Sequence, residues 1–112
     1  VNALINQPVK RSEFEMQAEL YFCLKKLGFD VRGEVPSLFD GERSFFDLVI
    51  FRGHYGAVII EVKNNDANAL RNGKKTRQNR KYKAYDLPIV YYTTATPIES
   101  VIAEIQKHVE RL

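Results

Sequence analysis

Two stretches of the chain, residues 45–51 and 57–62, are apolar on successive rather than alternate positions, and Arg52-Gly53-His54-Tyr55-Gly56 joins them. A short glycine-flanked link between β-branched and aromatic runs predicts a β-hairpin. Unbroken apolarity predicts strands covered on both faces. Upstream, residues 29–35 alternate between apolar and polar positions, the pattern of a strand with one wet face, and Pro36 is expected to end it. Residues 37–44, with the turn signal Asp40-Gly41, then form a loop. Before this strand, Ser12 followed by Glu15 makes a capping box. It opens a helix over 13–27, whose buried stripe is Met16, Leu20, Cys23, Leu24 and Leu27, and Gly28 stops it.

Past Lys63, Asn64-Asn65-Asp66 breaks the third strand, and a helix beginning near Ala67 or Leu70 is expected to reach Asp86-Leu87-Pro88. Residues 89–92 form a short strand. Pro97 starts a last helix with Ile98, Val101, Ile102, Ile105, His108 and Val109 on its apolar side. The order is helix, three strands, helix, strand, helix. A meander followed by a long connection predicts a mixed four-stranded α/β sheet, the fourth strand joining in parallel and helices lying on both faces.

With 112 residues the chain has room for one domain, 1–112, with 1–11 as an extended lead-in containing Pro8. Val1 in place of a starting methionine fits processing or excision from a longer chain. No run approaches the roughly 20 apolar residues of a membrane span, and no signal-peptide core is present, so a cytoplasmic protein away from membranes is expected. Cys23 has no partner for an internal disulfide and sits in a helical apolar pattern, which favours a small core residue over a nucleophile. Two histidines apart from any cysteine do not suggest zinc.

Charge changes the picture more than composition does. Residues 71–83 carry seven Lys or Arg and no acid, so the rest of a chain of net charge +3 stands at −4. A concentrated basic segment on a mildly acidic body suits nucleic acid, with Arg71, Lys74, Lys75, Arg77, Arg80 and Lys81 as the candidate DNA-binding residues. The plainer alternative is a solvated helix face.

Each apolar strand of the hairpin is broken once by a carboxylate, at Asp47 and at Glu61. With the turn near His54, residues whose numbers sum to about 108 oppose one another, which sets Asp47 across from Glu61. Opposed side chains stand roughly 4.5–5.5 Å apart at Cβ, and two carboxylates that close are not expected to be buried without a partner. A divalent cation resolves the conflict. Lys63 projects from the same strand face as Glu61. A lone Glu-x-Lys also arises as an edge-strand ion pair. Charge at the two positions where the apolar runs predict none is harder to explain by packing.

Asp47 followed by Glu61-Val62-Lys63 resembles the PD-(D/E)XK nuclease superfamily, with Phe46 where the family's name has proline. The resemblance covers nearly the whole chain and implies the restriction-endonuclease-like αβββαβ core. It further implies Mg²⁺-dependent hydrolysis of DNA, Mn²⁺ being able to substitute. Asp47, Glu61 and the Val62 carbonyl would be the ligands, and Lys63 would stand beside the attacking water. Glu13, Gln17, Leu20, Leu24 and Gly28 are similar in spacing to the first helix of the VRR-NUC branch, where an acidic residue leads into the site. Ser44-Phe45-Phe46-Asp47 departs from that branch's Gly-x-Pro-Asp, so the branch stays open. Glu13 is the expected helix acid, with Gln17 the competing position and Gln78 an accessory one. Glu34 is either a further acid or a solvated strand residue. So small a chain implies a homodimer or a larger assembly to supply specificity. A non-cleaving nucleic-acid-binding module of the same fold and a small assembly subunit are the other classes.

Overall fold

Ser12 has extended backbone, and its Oγ accepts from the Glu15 N–H at 3.0 Å, so one orphan donor of the first helical turn is satisfied. Helix α1 follows, Glu13–Lys26. Gly28, at φ +93°, then turns the chain through a conformation that a side chain would strain. This is a computed structural model, and it describes residues 11–39, 41–64 and 85–110.

Four strands come next: β1 (Asp30–Phe39), β2 (Glu42–Arg52), β3 (Tyr55–Lys63) and β4 (Ile89–Thr93); helix α2 (Ile98–Glu110) closes the chain. They form one sheet in the order β1-β2-β3-β4, antiparallel as far as β3, with β4 parallel to β3. The expected mixed four-stranded sheet is thus present.

The first strand differs from its expected length. β1 runs through Pro36 to Phe39, with Pro36 opposite Phe45, and only residues 40–41 separate it from β2. Proline is tolerated there because β1 is an edge strand of the described sheet, so the missing N–H can fall on the side that has no neighbour among the described residues. Gly41 at φ +76° completes a tight hairpin where a loop over 37–44 was expected.

The larger core joins Met16, Leu20 and Leu24 of α1, Val101 and Ile105 of α2, and Leu48, Ile50, Val58, Ile60, Val62 and Val90 of the sheet. Both described helices therefore lie on one face. Leu27, past the helix end, is exposed, and Cys23 is half-buried, so the true stripe of α1 is narrower than the wheel suggests. Phe46, Val49 and Ile59 form a second cluster, packed against Val35, Phe51, Leu87 and Ile89. Tyr85 meets Phe46 edge to face at 5.1 Å there. The basic helix expected before Tyr85, which would cover that face, lies outside the described residues. No described helix is long and apolar enough to cross a membrane.

Candidate functional site

The β2–β3 hairpin pairs Leu48 with Ile60, Val49 with Ile59 and Ile50 with Val58, the expected sum of 108, and shifts by one residue toward the turn. Pairing stops at Leu48–Ile60. Beyond it β2 remains beside β1 as far as Glu42, while β3 continues beside β4 to Lys63 and Thr93. The sheet forks, and Asp47 and Glu61 are the first residues on either side of the opening.

Backbone accounting explains what Asp47 does locally. The Ile59 N–H points to β4, where it meets the Pro88 carbonyl at 2.9 Å, so the even-numbered N–H groups of β3 point to β2. In an unbroken ladder the Val62 N–H would meet a β2 carbonyl. Here it donates to Asp47 Oδ2 at 2.8 Å. The Val62 carbonyl leaves the strand on the same edge as its N–H, and so faces the fork.

Strand alternation sets Glu61 and Lys63 on the face of Ile59, away from both helices, since Val58, Ile60 and Val62 belong to the larger core. The Asp47 carboxyl meets Glu61 there through a side-chain hydrogen bond, and the Lys63 ammonium is near enough to act on it. Glu61 is 4% exposed. Burial pushes the Asp47 carboxyl above the ordinary carboxylate range; the Val62 N–H, the hydrogen bond with Glu61 and the Lys63 charge pull it down without cancelling that push, and Glu34 adds to the rise.

Residues from α1 reach the fork through the backbone. Gln17 Nε2 donates to the Asp47 carbonyl at 3.1 Å, and Glu13 Oε2 accepts from the Asn64 N–H at 3.4 Å, one residue past β3. Glu13 thus sits at the end of the strand, clear of the Asp47–Glu61 pair. Gln17 is the closer of the two to Asp47. Glu15 is exposed, and its N–H is the one that Ser12 caps. Gln78 and the basic residues Arg71, Lys74, Lys75, Arg77, Arg80 and Lys81 lie outside the described residues.

Two further residues neighbour the pair: Glu34, which the sequence left as either a further acid or a solvated strand residue, and Tyr91, which it did not single out. Glu34 falls opposite Asp47 in the β1–β2 register, at φ +52°, and its Oε1 lies 3.4 Å from Gln17 Nε2. This left-handed residue reverses the alternation: Gly33 and Leu48 face the helices, whereas Val35 and Phe46 face the second cluster. Reading Asp40-Gly41 as a two-residue turn would have revealed the register. Tyr91 lies beside Glu61 in the parallel pair, and its hydroxyl is pushed above its ordinary value by burial and by the Glu61 charge. No sequence signal fixes a parallel register.

Among the described residues no three His, Cys, Asp or Glu side chains converge on one point. A cation at the fork would therefore take the Asp47 and Glu61 carboxylates and the Val62 carbonyl, with water filling its other positions. That donor set fits Mg²⁺, which is commonly bound through one or two carboxylates and keeps several waters. No protein-family model, no curated protein and no solved structure matches the chain.

Proposed function

We propose that the fork is the catalytic centre of a divalent-metal-dependent endonuclease that hydrolyses DNA phosphodiester bonds, on the PD-(D/E)XK pattern of Asp47, Glu61 and Lys63 and on the corresponding restriction-endonuclease-like fold. The observation that carries this reading is the meeting of the Asp47 and Glu61 carboxyl groups at a strand opening, within the field of Lys63. A buried acid and a half-buried one drawn together serve packing poorly and suit a hard cation.

When bound, Mg²⁺ supplies polarisation of the scissile phosphate and a more acidic water. Asp47, Glu61 and the Val62 carbonyl would hold it. Lys63 donates a hydrogen bond to the attacking water and offsets the charge that develops on the phosphate. The water would give up a proton to solvent as its oxygen bonds to phosphorus, one ester P–O bond would break, and the departing oxygen would take a proton from solvent and leave as a hydroxyl. Gln17 steadies the Asp47 backbone, and Glu13 steadies the end of β3. The basic segment over 71–83 holds the DNA backbone, an interaction that carries no base information, and a second copy or a larger assembly supplies specificity.

One observation favours a module that binds without cutting. The bond from Val62 N–H to Asp47 gives this acid a structural task that needs no chemistry. Incubation with supercoiled, linear, branched and single-stranded DNA, with Mg²⁺, with Mn²⁺ and with chelator, separates the readings. Nicking that requires the metal is expected. Salt-dependent binding with no cleavage in either metal would leave a binding module, and no DNA binding would leave an assembly subunit.

A further inference from the structure

Among the described residues two positions other than glycine hold left-handed backbone: Asp86 in a turn and Glu34, at φ +52°, within β1. Aspartate visits that region readily and glutamate seldom does, and inside a strand the conformation persists only where contacts around it hold it. The contacts of Glu34 lead to the fork. It falls opposite Asp47, between the pairs Gly33–Leu48 and Val35–Phe46. Its Oε1 lies 3.4 Å from Gln17 Nε2, and the same nitrogen donates to the Asp47 carbonyl at 3.1 Å. It is also near enough for its charge to act on the Asp47 carboxyl.

A side-chain amide ends in an oxygen that accepts and a nitrogen that donates twice. Only the nitrogen can serve the Asp47 carbonyl and an ionised Glu34 together, because neither of those can donate. Glu34 therefore favours the one amide orientation in which Gln17 holds the β2 backbone at the fork, where β3 no longer pairs with it. Without that carboxylate the half-buried amide has one acceptor fewer to fix its nitrogen. Resting on the nuclease reading above for what the acid then does, we propose that Glu34 is a positioning residue of the fork: it holds the Gln17 amide, Gln17 holds the Asp47 carbonyl, and Asp47 is thereby kept where its carboxyl meets the Val62 N–H and would meet a cation. The left-handed backbone is the strain that this placement carries. Glycine would relieve it and lose the contact.

The test uses the full chain. Hydrogen exchange of the Val62 amide, followed by NMR in metal-free buffer, reads the far end of this series of contacts with no cutting involved. Glu34→Gly should have a urea midpoint equal to or above the parent's, because its backbone suits glycine. Its Val62 amide should nevertheless exchange about three- to tenfold faster, the worth of one hydrogen bond, while Ile60, paired with Leu48 inside the ladder, keeps its rate. Mn²⁺ binding, measured by calorimetry without DNA, should weaken about tenfold. Glu34→Gln keeps an acceptor oxygen and should retain most of both properties. In a Gln17→Ala chain, adding Glu34→Gly should change neither further, since the contact it acts through has already gone. A Glu34→Gly protein with Val62 exchange and Mn²⁺ affinity unaltered would make Glu34 a strained surface residue and overturn the proposal. So would a Glu34→Gln protein as impaired as Glu34→Gly, which would assign the effect to charge at a distance, or a further loss in the Gln17→Ala chain. Faster Val62 exchange in Glu34→Gly, from a parent that binds no Mn²⁺ and never nicks DNA, would sink the nuclease reading alone; metal-dependent nicking with Val62 exchange untouched would sink the positioning alone.

Discussion

Replacing Asp47 should affect stability in a way that depends on which replacement is made. Alanine removes the acceptor of the Val62 N–H, a bond of 2.8 Å to a residue with no exposure. Leaving a buried donor unmet costs about 1–3 kcal/mol. Asparagine keeps an oxygen at that position and removes the charge. The Asp47 pKa is raised chiefly by burial, so the folded state binds its proton more tightly than the unfolded chain does. That contribution is fully present below the unfolded value of about 3.9 and is lost as pH rises through the folded value. In metal-free buffer at pH 7–8, Asp47→Asn should therefore equal or exceed the parent in stability. Asp47→Ala should fall about 1–3 kcal/mol below Asp47→Asn, or about 0.5–1.5 M in urea midpoint at a slope near 2 kcal/mol per M. The excess of Asp47→Asn over the parent should shrink as pH falls toward 4. Urea titrations followed by circular dichroism from pH 4 to 8 measure all of this. An alanine variant as stable as the asparagine variant would refute the assignment of Asp47 as the acceptor.

Metal should be linked to folding at the same place: Mg²⁺ or Mn²⁺ at a hundred times its Kd should stabilise the parent by about 2.7 kcal/mol, and thermal melts of Asp47→Asn and Glu61→Gln should show little of that gain. Glu13→Gln should keep cleavage at limiting Mg²⁺, since Glu13 accepts from the Asn64 N–H and stands clear of the pair, and Glu15→Gln should keep it too; a loss confined to Glu13→Gln at limiting metal would place Glu13 at the cation after all. Ser12→Ala should cost about 1 kcal/mol of helix capping in chemical denaturation, with activity at saturating metal unchanged. Alanine at Lys74, Lys75 and Arg77 should flatten the dependence of DNA affinity on salt by about 0.9 for each phosphate no longer neutralised, and an unchanged slope would move the DNA to another surface.

The parts of this fold that could be read from the sequence are those set by local chemistry. Ser12 and Gly28 bound α1, and the tight turn at residues 53–54 fixes a register that pairs Leu48 with Ile60 and leaves Asp47 and Glu61 on either side of the opening. Where sequence reasoning stops short, a local rule meets a tertiary exception. Pro36 ends most strands, yet at a sheet edge its missing donor costs nothing, so β1 reaches Phe39. Glu34 reads as one polar residue in an alternating strand; its left-handed backbone, unusual for a residue with a side chain, is visible only in three dimensions. The same holds for Gln17 and Glu13, which meet backbone groups of Asp47 and Asn64 that no wheel can locate.

The central claim is that Asp47, Glu61 and Lys63 act together as a metal-dependent cutting site. Its most direct test is nicking of supercoiled plasmid by the parent, Asp47→Asn, Glu61→Gln and Lys63→Ala, each shown to be folded at the same urea concentration and assayed with Mg²⁺, Mn²⁺ and chelator. The account predicts nicking by the parent in either metal, none in chelator, and a loss of at least a hundredfold, about 2.7 kcal/mol of transition-state stabilisation or more, in each folded variant. Nicking that persists in Asp47→Asn or Lys63→Ala, or a parent that binds DNA and never cuts it in either metal, would contradict it.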